Sequence, residues 1–363
     1  MTESLTVLLV EPWFGGSHRD WAEGYRRHSA HRVDLVTLPD EAWKWRMRGG
    51  AATLAARVER RPDVVLASSL LDVPSFLGHA RRVLGDVPVV LYMHENQLTY
   101  PLPDGAKRDT GLAFVNWSSQ LVADAVVFNS EYHRTDWFDS LGSFLDSYPD
   151  PSHRHLVDPV RAKSSVLPVG VDLEWLDSAE PARGEPPLVV WNQRWEHDKD
   201  PAAAALALEE LVDDGAPIRV AICGGASLDR TPPELQRVAD RLGSRMVQFG
   251  HAPRSRYEEL LREASVVFST ARHEFFGVAV VEAMAAGARP VLPDRLSYPE
   301  LIPSGVHDQV LYRSPAALSS MLAAAVAEPD VALTATTTEA ALRFGWQHVA
   351  PRYDALLASV AGS

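Results

Sequence analysis

"STARHEFFGVAVVEAMAAGARPVLPD", residues 269–294, holds three elements in a row. The polar "STARHE" closes a buried strand that begins at "SVVF", and "RPVLPD" reads as the next strand. Between them Phe276-Gly277-Val278 opens a helix. Strand, helix and strand make a βαβ unit, whose strands run parallel and are covered on both faces. Gly277 lets backbone come close to a ligand, and the unpaired N–H groups of a first helical turn suit a phosphate. Glu274 lies just before that turn and Glu282 on the helix, eight positions later. One carboxylate can then accept from hydroxyls on one side of a phosphate, and the second from hydroxyls on the other. A sugar nucleotide has that shape. The plainer alternative is a capped helix with a chance glutamate on its exposed face.

Working outward, the same alternation fills the chain. "LTVLLVEP", "RVDLVTLP", "PDVVLASS", "VPVVLYMHE" and "DAVVFNS" read as five buried strands with amphipathic segments between them. A second series follows: "PPLVVWNQ", "IRVAICGG", "RMVQFGHA", "SVVFSTA", "RPVLPD" and "QVLYR". The segment 174–187, "EWLDSAEPARGEPP", is rich in Pro, charge and small residues and suits a linker. The expectation is an α/β protein of two Rossmann-like domains, residues 1–180 and 181–345, with 346–363 a helix crossing back to the first. Ligands of such sheets bind beyond the carboxyl ends of the strands. If the two sheets face each other across a cleft, "GGSH", "HENQLTYP", "NSEYH" and "HEFFG" meet there.

Composition narrows the class. With 363 residues, 46% hydrophobic and 23% charged, the chain is an ordinary globular protein of about two domains. No apolar run approaches the ~20 residues that span a bilayer. The N-terminus has acidic Glu3 and no cationic leader, so it does not read as a signal peptide. One cysteine, Cys223, allows no internal disulfide, and a cytoplasmic location is expected. A net charge of −13 argues against indiscriminate nucleic-acid binding. Residues 1–170 hold 18 Lys+Arg against 21 Asp+Glu, and residues 171–363 hold 17 against 27. The first half is therefore the better candidate for meeting an anionic macromolecule.

In the second half, "WNQRWEHDK" offers Arg194 and Lys199, two cations that could neutralise a leaving diphosphate. Two scattered cations in a surface loop are the common alternative. "QFGHAPRSRY" could hold a nucleotide base through Gly250 and His251. Taken together, "EFFGVAVVEAMAAGARPVLPD" resembles the glutamate-x7-glutamate signature of retaining GT-B glycosyltransferases of family 4. "RWEHDK" is similar to that family's diphosphate-binding pair, and "FGWQHVAPRYDALL" to its closing helix. The resemblance implies that Glu274 faces the donor sugar and Glu282 the ribose, with Phe276, Gly277 and Val278 at the phosphates.

The first half narrows the acceptor. In "LLVEPWFGGSHRDWAEG", Gly15 and Gly16 make a turn whose backbone can approach phosphate or sugar, with Ser17 and His18 opening the next helix. It is not a GxGxxG fingerprint, so no dinucleotide cofactor is indicated. "KWRMR" sets Lys44, Arg46 and Arg48 beside Trp43 and Trp45, which suits RNA phosphates and splayed bases. A basic solvated face over two core tryptophans is the alternative. "YMHENQLTYP" places His94, Glu95, Asn96 and Gln97 after a strand, and "VVFNSEYHR" adds Asn129 and Ser130. These phrases together resemble the tRNA-queuosine alpha-mannosyltransferases. That resemblance implies transfer of mannose from GDP-mannose to the cyclopentenediol of queuosine in tRNA-Asp, with retention. It gives His94 the donor sugar, while Glu95, Asn96 and Gln97 are placed for hydroxyl and amine groups of the acceptor.

Retention in this fold is expected to proceed on one face of the sugar, the leaving phosphate taking the acceptor proton. Electrostatic stabilisation and orientation then carry catalysis. There is no DxD pair in a suitable loop, and His18, His28 and His31 show no ligand spacing, so no metal or other cofactor is expected and EDTA should not stop turnover. Neither a membrane nor an obligatory protein partner is indicated. Two rivals stand beside this reading. One is the same fold glycosylating a lipid or small metabolite from a UDP- or GDP-sugar. The other is a non-catalytic reader of modified tRNA.

Overall fold

The computed structural model describes residues 4–102, 105–149, 151–178, 183–225 and 231–362. The chain folds as two units, Met1–Asp172 with Gly345–Ser363, and Leu173–Phe344. The boundary expected at 180/181 lies outside the described residues. Residues 174–177 were expected on the first side of it and belong instead to the second unit. The physical reason is Trp175, which is buried under the Arg262 guanidinium, 4.9 Å from its ring centroid, and whose carbonyl oxygen accepts from that side chain at 2.5 Å.

The first unit carries one parallel sheet of six strands: β1 (Thr6–Phe14), β2 (Arg32–Pro39), β3 (Val64–Ser68), β4 (Val89–Met93), β5 (Ala125–Phe128) and β6 (Ser164–Val166). Their order is β2-β1-β3-β4-β5-β6. All residues of β3, β4 and β5 are buried, as strands covered by helices on both faces must be. β6 was not expected; its "SSV" is too short and too polar to show as an apolar run. The order reverses between β1 and β3, so the crevice at their carboxyl ends is where a doubly wound sheet takes its ligand.

Residues 345–363 complete this unit. A bridge pairs Val171 with Gly345, and the helix Trp346–Ala361 then lies on the helix Gly16–His28. The Trp21 indole N–H donates to the Tyr353 hydroxyl at 3.3 Å, which itself donates to the Pro168 carbonyl at 3.0 Å. Trp346 is 1% exposed and fills the space above Gly24 and Gly170, where a Cβ would collide with its ring. Trp346→Ala should therefore cost about 3–5 kcal/mol of stability, read as a lower unfolding midpoint in denaturant.

The second unit carries β7 (Leu188–Trp191), β8 (Arg219–Cys223), β9 (Met246–Gly250), β10 (Ala264–Phe268), β11 (Arg289–Pro293) and β12 (Leu311–Tyr312), in the order β12-β11-β10-β7-β8-β9. All six coincide with expected strands. The reversal falls between β7 and β10. It sets the loops 192–200 and 269–277 side by side, so the expected cations and the first glutamate share one crevice. No single described helix is long and apolar enough to cross a bilayer.

Candidate active site

Gly277 caps the helix Val278–Ala285 from the left-handed region, φ +101°, where a side chain would be strained. That turn brings Glu274 back onto Lys199. Lys199 is buried, and its Nζ donates to Glu274 Oε2 at 3.0 Å and to the His273 carbonyl at 2.8 Å, with Asp198 Oδ2 at 3.3 Å. Burial pushes the Glu274 carboxyl upward, but the charge and hydrogen bond of Lys199 outweigh it and hold the group below its ordinary value. Lys199, expected to serve a diphosphate, is here the counter-ion of two carboxylates. Arg194, at the end of β7, is exposed, and its charge is felt by His273, whose imidazole burial pushes down to about 4.

Glu282 is 8% exposed and fully engaged. Its Oε1 accepts from Arg254 at 2.7 Å and its Oε2 from the Tyr257 hydroxyl at 3.0 Å. The Tyr257 hydroxyl in turn accepts from Asn192 at 2.9 Å. Arg254, Tyr257 and Asn192 escaped the sequence reading because they stand 25 or more residues from Glu282 and on other elements. Phe276 is buried edge-on to Phe344, with ring centroids 5.2 Å apart. Gly250 ends β9 and His251 beside it is exposed.

In the first unit the loops after β1 and β4 meet. Gly16 takes φ +48° and begins the helix that carries exposed Ser17 and buried His18. The His94 ring lies 4.3 Å from that of His18 and 4.4 Å, edge-on, from Trp21. Its Nε2 is buried, with no hydrogen-bond partner among the described residues. Burial first, then the neighbouring His18 and His133, push its pKa well below the ordinary imidazole value, so His94 is neutral at pH 7. Glu11, which sequence reasoning missed, lies beneath His18, with Oε2 2.9 Å from its Nδ1. The one visible signal was a carboxylate inside "TVLLVEPWF". Glu11, His18 and His94 offer donor atoms within 4.8 Å of one another, the set among the described residues that could take a divalent ion.

The polar run divides. Asn96 is wholly buried, and its Oδ1 accepts from the Leu98 and Thr99 N–H groups at 3.0 and 2.8 Å. Its side chain therefore builds the turn instead of facing an acceptor. Glu95 and Gln97 are bonded to each other at 2.9 Å and are half-buried. Arg108, also missed, donates to the Gln97 and Tyr100 carbonyls and fixes the loop. Asn129 and Ser130 are buried and work inside the fold. Asn129 donates to the His94 carbonyl at 2.9 Å, and Ser130 caps the next helix at the His133 N–H.

The basic segment forms the helix Trp43–Ala55. Trp43 packs half-buried beside Met47, whereas Trp45 is 65% exposed. Lys44 is exposed 5.5 Å from the Trp43 ring centroid; Arg48 is exposed and paired with Asp109, and Arg46 donates to the Glu41 carbonyl. The alternative of two core tryptophans thus fails at Trp45.

Comparison with known proteins gives these sites a family. Residues 6–171 match the family described as tRNA-queuosine alpha-mannosyltransferase N-terminal, and residues 175–333 match Glycosyl transferases group 1. A tRNA-queuosine alpha-mannosyltransferase of Drosophila melanogaster is 34% identical over 328 residues, covering 87% of this chain and 85% of that protein. A GDP-mannose:cellobiosyl-diphosphopolyprenol alpha-mannosyltransferase of Xanthomonas campestris is 29% identical over 54% of this chain and 53% of its own. Among solved structures, the sucrose-phosphate synthase of Thermosynechococcus elongatus superposes with a TM-score of 0.72 at 15% identity, over 99% of this chain and 100% of that one, and shares the GT-B fold. The chain is a glycosyltransferase and belongs to the tRNA-queuosine alpha-mannosyltransferase family.

Proposed function

We propose that this enzyme moves mannose from GDP-mannose to the cyclopentenediol of queuosine in the anticodon of tRNA-Asp, in the cytoplasm and with retention of the alpha configuration. The observation that carries the reading is the 34% identity, over 87% of the chain, to a relative of that name. The geometry supports it. In the second unit two glutamates flank one helix start, Glu274 toward the sugar and Glu282 toward the ribose. Gly250 and His251 border the base. Arg194 and the N–H groups at Gly277 and Val278 receive the diphosphate as it leaves, with Lys199 setting the charge of Glu274. In the first unit Ser17, His18, Glu95 and Gln97 receive the acceptor, Gly16 keeps the turn open, and His94 offers Nε2 to a sugar hydroxyl. Charge neutralisation then comes from the protein, and EDTA is expected to leave the rate unchanged.

Lys44, Trp45, Arg46 and Arg48 make the tRNA-facing helix in this reading. Exposed Trp45 is the stacking platform, worth about 1–3 kcal/mol per base. Trp45→Ala should raise KM for tRNA about tenfold while KM for GDP-mannose stays as it was.

Incubation with GDP-mannose and queuosine-containing tRNA-Asp, followed by mass spectrometry of the released nucleosides, tests the whole. A gain of one hexose on queuosine is expected. No gain, with GDP and not UDP still raising the unfolding temperature, would discard the acceptor and keep the donor.

A further inference from the structure

Glu11 is a carboxylate where its strand gives no reason for one. It is the sixth residue of β1, follows the buried run Val7–Val10, and is wholly buried itself. Its Oε1 accepts the Trp13 N–H at 2.9 Å, and its Oε2 faces His18 Nδ1 at 2.9 Å. Among the described residues no lysine or arginine pairs with it. With Oε1 accepting the Trp13 N–H, the contact of Oε2 with His18 is made when the imidazole N–H is on Nδ1. His18 then lies against His94, ring to ring at 4.3 Å, and Trp21 and Tyr92 close the other sides of His94 edge-on. His94 Nε2 is buried and has no hydrogen-bond partner among the described residues. Leaving such an atom unmatched costs about 1–3 kcal/mol, which marks it as a place for a ligand's hydrogen-bonding group.

The geometry points to Glu11 as a positioning residue for the transfer reaction: it clamps the Nδ1 edge of His18, and His18 holds the His94 ring with Nε2 toward a substrate hydroxyl. This rests on the reading that His94 meets substrate. The clamp explains why a strand otherwise apolar from Val7 to Val10 tolerates a charge at its next position.

The test uses the full chain with Glu11→Gln, Glu11→Asp and His94→Ala. Gln keeps the size of Glu but removes the charge, so it no longer requires a proton on Nδ1. In ¹⁵N-histidine-labelled protein without substrate, the wild type should show a protected His18 Nδ1–H signal that Glu11→Gln loses. With GDP-mannose and queuosine tRNA, Glu11→Gln should lower kcat by about 10–100-fold, the usual range for losing the group that orients a working imidazole, with both KM values little changed. GDP binding in the second unit and the unfolding temperature report whether the variant is folded. If Glu11→Gln fails that check, Glu11→Asp, which keeps the charge but draws it back by one methylene, is read by the same two measurements. Wild-type kcat in the folded Glu11 variant beside an inactive His94→Ala overturns the proposal. Wild-type kcat in His94→Ala overturns it from the other side, through the reading it rests on, and leaves the His18 signal in place. A Co²⁺ absorption band that saturates at one equivalent and vanishes in Glu11→Gln also overturns it, by making the three residues a metal site.

Discussion

Glu274→Gln should lower turnover about 10²–10³-fold while GDP binds as to the wild type. The factor is that of removing one electrostatic contact aimed at the reacting centre. Gln preserves the shape and the reach to Lys199 Nζ, but not the negative charge. Lys199 keeps Asp198 and the His273 carbonyl as partners, so the crevice should stay folded. Glu282, Arg254 and Tyr257 are untouched, and the nucleotide should still raise the unfolding temperature. Single-turnover measurement of hexose on queuosine separates this from slow product release. A variant that turns over at the wild-type rate would reduce Glu274 to a counter-ion of Lys199.

Lys199→Met has the larger effect on stability. Lys199 is the cation between Asp198, 1% exposed, and Glu274. Without it Asp198 and Glu274 both lose their ion-pair partner, and breaking a buried pair from one side costs about 3–5 kcal/mol. The pH dependence has a definite sign. Glu274 is held below its ordinary pKa in the folded protein, so its contribution is present above the unfolded carboxylate value and is lost as pH falls through the folded one. In the variant that pull is gone, and burial, the largest influence on the group, pushes the Glu274 carboxyl up. The wild type should therefore lose its advantage on acidification, and the two unfolding midpoints should converge toward acid pH. A gap that stays constant down through the carboxylate range would mean that lost packing, not charge, destabilises the variant.

Much of this was legible because parallel sheets write themselves in apolar runs. β7 to β12 each show one, and Glu274, Gly277 and Glu282 sit at fixed distances along a single strand–helix turn. What escaped has a common cause, which is partners brought from elsewhere. Arg254 and Tyr257 reach Glu282 from the helix Arg254–Glu263, on the far side of β10 in the chain. Glu11 lay unremarked inside the expected strand "LTVLLVEP", because its partner His18 sits on the next helix. Asn96 and Ser130 were misjudged in the opposite direction. A short polar side chain after a strand serves a turn or a cap as readily as a ligand, and only its hydrogen-bond partners tell the two apart. β6 was invisible because three residues form no pattern.

The return of residues 345–363 to the first unit makes that unit discontinuous, with the second inserted into it between Asp172 and Gly345. A growing chain that has reached residue 344 holds all six strands of the first sheet but no cover over Trp21 and Tyr25. Both rings are wholly buried in the finished fold, against Tyr353 and, for Tyr25, also Trp346. The inserted unit is continuous and can fold while its host waits. Order of synthesis and order of completion are thus reversed: the half that begins first is sealed last. A truncation after Phe344 should consequently leave GDP binding intact and send the first half to aggregation through its open aromatic face.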